Sequence, residues 1–405
     1  MSQILIAGCG IAGCAMALRA MQLGFTPTLL KCARPEIGGV EIIPASARNL
    51  LAELGLDPAI ASVHPGLSNC MVSYSPDSEP HFTFGRALYV DRLALRAAVL
   101  EEARSRGAKI RCVDRLPPRD TYNVTIDATG QFAAWSRPVV RYGRSHADIF
   151  LLPHVRGRPV ARVLPIERGW AYVASDETHT TVGAISYAPC RSVEVEHALR
   201  RALGLDPEDA LRHLGRRPAF PQATATPLHG RTIAIGDAAF SHDPIGGRGI
   251  AFALGSAFAA GAVLQTWRDW PADTAAAADY YRGYVQAEIG RHLRFLAGAS
   301  EIESTAVVDM PSHVHWCARE TRCAIAMPDR ITFADAVSTN RGSVVRWLGK
   351  LDIFTLRAIC RGHRTVNEVI ARLCDAGLTP EEASSAIKWA LGHGVLHGPG
   401  VNEPE

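Results

Sequence analysis

The sequence predicts an α/β fold: a parallel-sheet nucleotide-binding domain, an inserted antiparallel β-sheet on the substrate side, and a helical module at the C-terminus. Three observations predict it. The chain opens with a strand, a Gly-rich turn and a helical pattern in "QILIAGCGIAGCAMALRAMQLG". A second Gly-rich turn, "GDAAFSHDPIGGRGI", lies between an apolar strand and an apolar helix. Between the two, stretches such as "ADIFLLPHV", "PVARVLPI", "GWAYVASD" and "TVGAISYA" are β-rich and separated by Gly, Pro or charged turns.

The 405 residues give room for two or three domains. Apolar residues make up 47% and charged residues 20%, an ordinary globular balance. A net charge of +3 is too small to imply nucleic acid or a membrane surface as partner. The ten cysteines are scattered singly, which signals neither a zinc site nor a disulfide framework and fits a reducing compartment. The apolar start lacks the positive n-region of a signal peptide, and no apolar run reaches the ~18 residues of a membrane span. These features read as a cytoplasmic protein without a metal site.

In the first turn, Gly8 permits the tight bend, Gly10 lets a pyrophosphate approach the backbone, and Gly13, after Ala12, lets the helix pack on the sheet. The helix N-terminus presents free N–H groups to an anion. Placement between strand and helix makes this a Rossmann-type fingerprint rather than a ligand-free Gly turn. The second strand, "TPTLL", departs from the pattern: Lys31 stands where an acid usually holds the ribose. A basic residue there suits a 2′-phosphate and hence NADP, or the ribose is held another way.

The second turn bears on that choice. "RTIAIGD" ends an apolar strand at Asp237, a carboxylate able to accept hydrogen bonds from sugar-like hydroxyls. Pro244, Gly246, Gly247 and Gly249 then open a helix whose bare N-terminus can stabilise an anion. Two helix N-termini can serve one long ligand, and a flavin with a ribityl chain asks for this second site.

Over roughly residues 1–300 the chain resembles the class A flavoprotein monooxygenases, the group of p-hydroxybenzoate hydroxylase, with flavin-dependent halogenases and geranylgeranyl reductases as cousins. Four stretches carry the resemblance in the family's order: the Gly8–Gly13 turn, "GGVEIIPASARNLLAELGL", "DRLALRAAVLEEARSRGAKI" and "GDAAFSHDPIGGRGI". It implies that Arg92 contacts the flavin dinucleotide and that Asp237 binds the ribityl chain. It also implies that backbone amides of the Pro244–Gly249 loop face the flavin ring edge that becomes anionic on reduction. "NVTIDATGQ", with Thr129, falls where the family has its Asp–Gly motif and looks more like the halogenase and reductase cousins. FAD is the implied cofactor, with NADH or NADPH as reductant and O₂ as co-substrate.

"GWAYV" is similar to the halogenase signature of two tryptophans one residue apart, with Tyr172 in the second place. Halogenases also use a lysine in the region between Lys31 and Lys109, where this chain has none. His242 and Asp243, just before the second turn, are the candidate catalytic pair, as proton donor or acceptor to a bound substrate; the alternative is a loop pair serving structure only. "HVHWC" (313–317) has no neighbouring cluster of metal ligands.

Residues 301–345 lack clear periodicity and read as a connecting segment. Beyond them, "VVRWLGKLDIFTLRAICRG" reads as an amphipathic helix. Thr365 with Glu368 and Thr379 with Glu382 make two capping boxes, the second with Pro380 at the first helical position. Three helices and a final strand form a winged-helix-like pattern. It is similar to the peptide-recognition winged helices of peptide-modification pathways; a packing or dimerisation module is the alternative.

The expected organisation is an FAD-binding domain (1–67, 91–139 and 231–300), a substrate-binding sheet (68–90 and 140–230), the connecting segment, and the module at 346–405. The implied function is hydroxylation of an electron-rich aromatic ring, extended by the module to a Trp or Tyr side chain within a peptide or small protein. Among the peptide-modifying flavoproteins, the resemblance points to tryptophan hydroxylation in tryptophylquinone cofactor biogenesis. The alternatives are a halogenase, an isoprenoid double-bond reductase, and a flavoprotein sensor with a DNA-binding winged helix.

Overall fold

A computed structural model describes residues 3–32, 37–61, 67–72, 82–119, 122–153, 161–167, 169–175, 179–187, 190–244, 247–296, 310–340, 342–361 and 364–398. The chain divides into two compact units. Unit 1 is Met1–Arg268 with Tyr281–His292; unit 2 is Asp269–Tyr280 with Leu293–Glu405.

Unit 1 begins with β1 (Gln3–Ala7), whose last four residues are buried, and α1 (Ile11–Gln22), which buries Gly13 to Leu18 against the sheet. β2 (Thr26–Cys32) pairs in parallel with β1. β3 (Val40–Ile43), α2 (Ala45–Glu53), α3 (Asp57–Ala61), β4 (Leu67–Val72), β5 (Phe82–Asp91), α4 (Arg92–Ser105) and β6 (Lys109–Val113) follow. Next come β7 (Thr125–Asp127), β8 (Val139–Arg141), β9 (His146–Pro153), β10 (Ala161–Ile166), β11 (Gly169–Ser175), β12 (His179–Ser186) and α5 (Ser192–Leu203). The unit closes with β13 (Arg212–Pro218), β14 (Gln222–Thr224), β15 (Leu228–His229), β16 (Thr232–Ala234), β17 (Phe240–Ser241), α6 (Gly249–Asp269) and α7 (Thr274–Leu296), which also runs into unit 2.

The sheets fall into the expected layers. One runs β15-β16-β7-β1-β2-β6, parallel except for the β15–β16 pair. The inserted sheet runs β10-β11-β12-β9-β13 and is antiparallel throughout. β8 and β17 flank β14. β4 and β5 form a separate three-stranded sheet with β3, in the order β3-β5-β4, with β4 in contact with β10 of the inserted sheet.

α6 corrects the expectation that no run reaches spanning length. Its 21 residues are apolar enough to cross a membrane, and more than half of the apolar stretch is buried inside the protein. Ala, Gly and Ser spread along it soften its apolar look in sequence while letting neighbours approach closely.

Unit 2 contains β18 (His313–Trp316), β19 (Arg319–Ala326), β20 (Ile331–Ser338), β21 (Val344–Val345), β22 (Trp347–Leu348) and β23 (Leu351–Asp352). α8 (Ile353–Ile359), β24 (Arg364–Thr365), α9 (Val366–Asp375), α10 (Pro380–Gly392) and β25 (Leu396–His397) complete it. Both capping boxes form, and Pro380 takes the first helical position. Two expectations are corrected. The described part of the connecting segment holds β18 to β21, where Arg, Glu and Thr dilute the alternation of β19. The helix expected from Val344 begins only at Ile353, capped by Asp352, because Gly349 at φ +59° and Lys350 make the turn between β22 and β23. β18 lies between β24 and β25, so the three helices share a small sheet whose middle strand comes from upstream.

Candidate functional site

The first Gly turn is fixed by contact with the segment after β7. A Cβ on Gly8, at φ +110°, would stand 2.2 Å from the Ala128 carbonyl oxygen; one on Gly13 would stand 2.0 Å from the Gly8 oxygen. Only glycine allows this packing of β1, α1 and the Asp127–Gly130 segment. A Cβ on Gly10 would meet nothing within 4 Å. No side chain caps α1 at Gly10, so its first-turn amides are open to an anion.

Asp127 is fully buried; its Oδ1 accepts from the Thr129 N–H (3.1 Å) and hydroxyl (2.6 Å), and its Oδ2 from the Trp135 N–H (2.7 Å). The Thr129 oxygen also accepts from the Ala134 N–H. The Thr129 side chain is thus engaged within the turn, and what it offers a dinucleotide is the placement of Ala128 against Gly8.

Two cations flank this turn. Lys31, half-buried at the end of β2, lies close enough to Cys9 to act on its thiol. Arg96 donates from Nε to the Cys9 carbonyl at 3.2 Å. Burial pushes the Cys9 thiol up to about 11 against both cations. Arg96 was not singled out from the sequence, although it lies one helical turn after Arg92 on the same face of α4.

The second turn meets the first directly: a Cβ on Gly236, at φ +55°, would be 2.8 Å from the Ala12 Cβ. Its N–H donates to Ser256 on α6 at 2.9 Å. Asp237 follows, half-buried, and no hydrogen bond or ion pair of its carboxylate occurs among the described residues. Burial pushes this carboxyl up, while His242 and Arg92 pull it down. Arg92, whose N–H donates to the Gly39 carbonyl, pairs with Glu41 on β3 at 2.6 Å. Asp237 and Arg92, far apart in sequence, thus share one electrostatic site.

His242 is turned into the interior, while Asp243, buried beside it, lies close enough to the exposed Tyr187 to act on its phenol. His242 is 7% exposed; its Nε2 bonds Glu288 Oε1 at 2.9 Å, and its ring packs on Phe240, Phe252 and His292. The Asp243 N–H donates to His292 Nε2 at 3.0 Å. Glu288 also accepts from Arg248 at 3.0 Å and pairs with Arg291. These contacts tie both ends of the Pro244–Gly249 loop to α7. Gly247 (φ +57°) and Gly249 have open space where a Cβ would stand; Gly246 lies outside the described residues. Glu288 and His292 were missed because nothing in the α7 sequence pattern pairs them with residue 242.

This anchor titrates. Burial raises the Glu288 carboxyl, but His242, Arg248 and Arg291 outweigh it and hold it at about 2. Burial, with the nearby His242, lowers His292 to about 4. Both folded values lie below the ordinary ones, so both groups stabilise the fold at neutral pH and lose that stabilisation on acidification. The melting temperature falls first between pH 6.5 and 4 as His292 is driven to charge, then from 4.5 toward 2 as Glu288 is protonated. A thermal-melt series against pH checks this; His292→Gln flattens the upper limb, and an unchanged limb contradicts the assignment.

On the inserted sheet, Tyr172 stands opposite Gly183, where a Cβ would come within 2.1 Å of the phenol ring. The phenol is pushed up by burial and by Glu41. Arg217 on β13 reaches its oxygen at 3.4 Å. The second aromatic of "GWAYV" therefore faces the Glu41–Arg92 pair.

The donor set fits a flavin dinucleotide: two open glycine helix entrances meet at an unpartnered carboxylate, with arginines beside both. No protein-family model matches the chain, and no curated protein matches it. Solved structures do. The peptidyl tryptophan dihydroxylase QhpG, essential for tryptophylquinone cofactor biogenesis, superposes with a TM-score of 0.70 at 18% identity, covering 97% of this chain and 99% of its own. The flavin-dependent halogenase CmlS gives 0.72 at 16%, covering 98% and 95%. PqsL, a probable FAD-dependent monooxygenase from Pseudomonas aeruginosa, gives 0.58 at 17%, covering 76% and 99%. The resemblance read from the four motifs is borne out at the level of architecture: the chain has the fold of the flavoprotein monooxygenases and flavin-dependent halogenases.

Proposed function

We propose that the protein is an FAD-dependent monooxygenase that hydroxylates an electron-rich aromatic ring, the side chain of a Trp or Tyr within a peptide, using NADH or NADPH and O₂. The observation that carries this reading is the meeting of the two glycine turns at Asp237. Gly10 and the α1 amides would hold the pyrophosphate, with Lys31 and Arg96 beside it. Asp237 would accept from the ribityl hydroxyls, and the Gly247–Gly249 amides would face the ring. When bound, the flavin supplies electron transfer from the nicotinamide to O₂. The chain's own work is to bind, orient and exclude water. His242 and Asp243 hold the loop through Glu288 and His292, and Tyr172 with Arg92 and Glu41 lines the substrate side.

One finding favours a peptide substrate: QhpG, which acts on a peptidyl tryptophan, is similar over 97% of this chain, although CmlS is similar over 98%. Halogenation is the second reading, favoured by CmlS. Against it, the lysines of unit 1 sit on the parallel sheet, Lys31 on β2 and Lys109 on β6, and none lies on the inserted sheet. NADH oxidation screened with Trp- and Tyr-containing peptides tests the reading. Peptide-stimulated turnover with one added oxygen atom supports it; a bromide- or chloride-dependent product contradicts it.

The small sheet of unit 2 moves the boundary for a truncation. Cutting at residue 346 would strand β18 without its partners, so the cut belongs before residue 310. Removal of 310–405 leaves FAD content unchanged and raises KM for a peptide about tenfold or more, with kcat changed less. Equal loss on peptide and free amino acid would show that this region shapes the active site instead.

A further inference from the structure

The face of unit 1 beside β8 carries a groove that the flavin reading leaves unused. Its walls are Arg137, Pro138, Val139 and Arg141 at one end, and Arg141, Gly143, Arg144, His146 and Phe220 at the other. Arg141 joins the two ends, its guanidinium 5.4 Å over the Phe220 ring. Val140 and Tyr142 are 49% and 38% exposed alongside. From 137 to 147 the sequence has three arginines and no acid. Arg217 adds to the charge from β13, where it stands opposite Ala147 and next to the Pro218–His146 pair. Among the described residues none of Arg137, Arg141 and Arg144 makes an ion pair, whereas Arg216 is taken up by the buried Asp148. A cluster of unneutralised guanidinium groups repels itself unless carboxylates or phosphates face it.

Partly buried hydrogen bonds brace the groove from behind: Arg141 donates to Gln222 at 3.2 Å, Gln222 donates to the Gln131 carbonyl at 2.8 Å, and Gln131 donates to Ser241 at 2.7 Å. On the other side Arg217 reaches Tyr172. β8 and β13 are both edge strands of their sheets among the described residues, so their backbone can pair with an extended chain.

We infer that this groove binds an extended acidic peptide segment, the carboxylate-rich flank of the substrate that presents its aromatic residue to the site. The two edge strands, the row of unneutralised arginines and a whole-chain charge of only +3 favour an acidic peptide over nucleic acid. The inference rests on the reading of a peptide substrate, but its test needs no turnover.

The probe is a labelled Trp peptide flanked by Glu and Asp, compared by fluorescence anisotropy with its Gln and Asn counterpart on the full-length protein as purified. The acidic peptide binds roughly tenfold more tightly at low salt, and the preference shrinks at high salt. The double variant Arg137→Glu, Arg144→Glu, both exposed, loses the preference while its melting temperature and flavin content stay unchanged. Equal binding of the two peptides, or a preference that survives in the variant, overturns the inference. So does a duplex DNA that binds more tightly and displaces the peptide. A protein that binds the acidic peptide but oxidises no peptide overturns the hydroxylase reading and leaves the groove assignment standing.

Discussion

Gly13→Ala is expected to cost the protein its fold, and Gly10→Ala only its cofactor. The two positions lie three residues apart in one turn, yet a methyl group meets opposite surroundings. At Gly13 it would stand 2.0 Å from the Gly8 carbonyl oxygen, a backbone atom that cannot step aside without shifting β1 or α1. Those elements bury Ile4 to Ala7 and Cys14 to Leu18, so a shift spreads through the centre of unit 1. The loss belongs with severe overpacking, on the order of 3–5 kcal/mol, and shows as insoluble protein or a melting temperature lowered by about 10 °C or more. At Gly10 nothing lies within 4 Å. There the methyl enters only the space a pyrophosphate needs, so the apo protein melts normally and FAD affinity falls by about tenfold or more. Melting of the apo proteins and FAD titration separate the two effects. Equal stability in both variants would contradict the packing of this turn.

Asp237→Ala is expected to move stability and affinity in opposite directions. Its carboxylate is half-buried, is pushed up by burial, and makes no hydrogen bond or ion pair among the described residues. Such a group costs free energy in the apo protein. Removing it leaves the apo melting temperature equal or higher. The same change removes a charged acceptor for a ribityl hydroxyl. Hydrogen bonds to charged groups contribute roughly 1.5–3 kcal/mol, so FAD dissociates roughly 10- to 150-fold more readily. A destabilised apo protein with unchanged FAD affinity would make Asp237 a structural residue.

What the sequence disclosed follows the range of the forces involved. Gly8, Gly10 and Gly13 announce themselves because turn chemistry is local, and the capping boxes at Thr365 and Thr379 do so for the same reason. The inserted strands were legible because alternation is local as well. The partners of His242 were not: Glu288 and His292 reach it across 46 and 50 positions, through a helix whose sequence gives no sign of the contact. The strands of unit 2 were hidden by their charged residues, and β18 finds its partners about 50 and 80 residues downstream. Arg137 and Arg144 look like ordinary surface arginines until the fold shows that neither makes an ion pair among the described residues.

The most direct test of the account is the cofactor of the purified, full-length protein. A yellow protein is expected, with the two visible flavin bands and one FAD released per chain on denaturation. A colourless protein that takes up NADP and no FAD would contradict it, and Lys31 and Arg96, beside the first turn, would then be the residues that hold the 2′-phosphate.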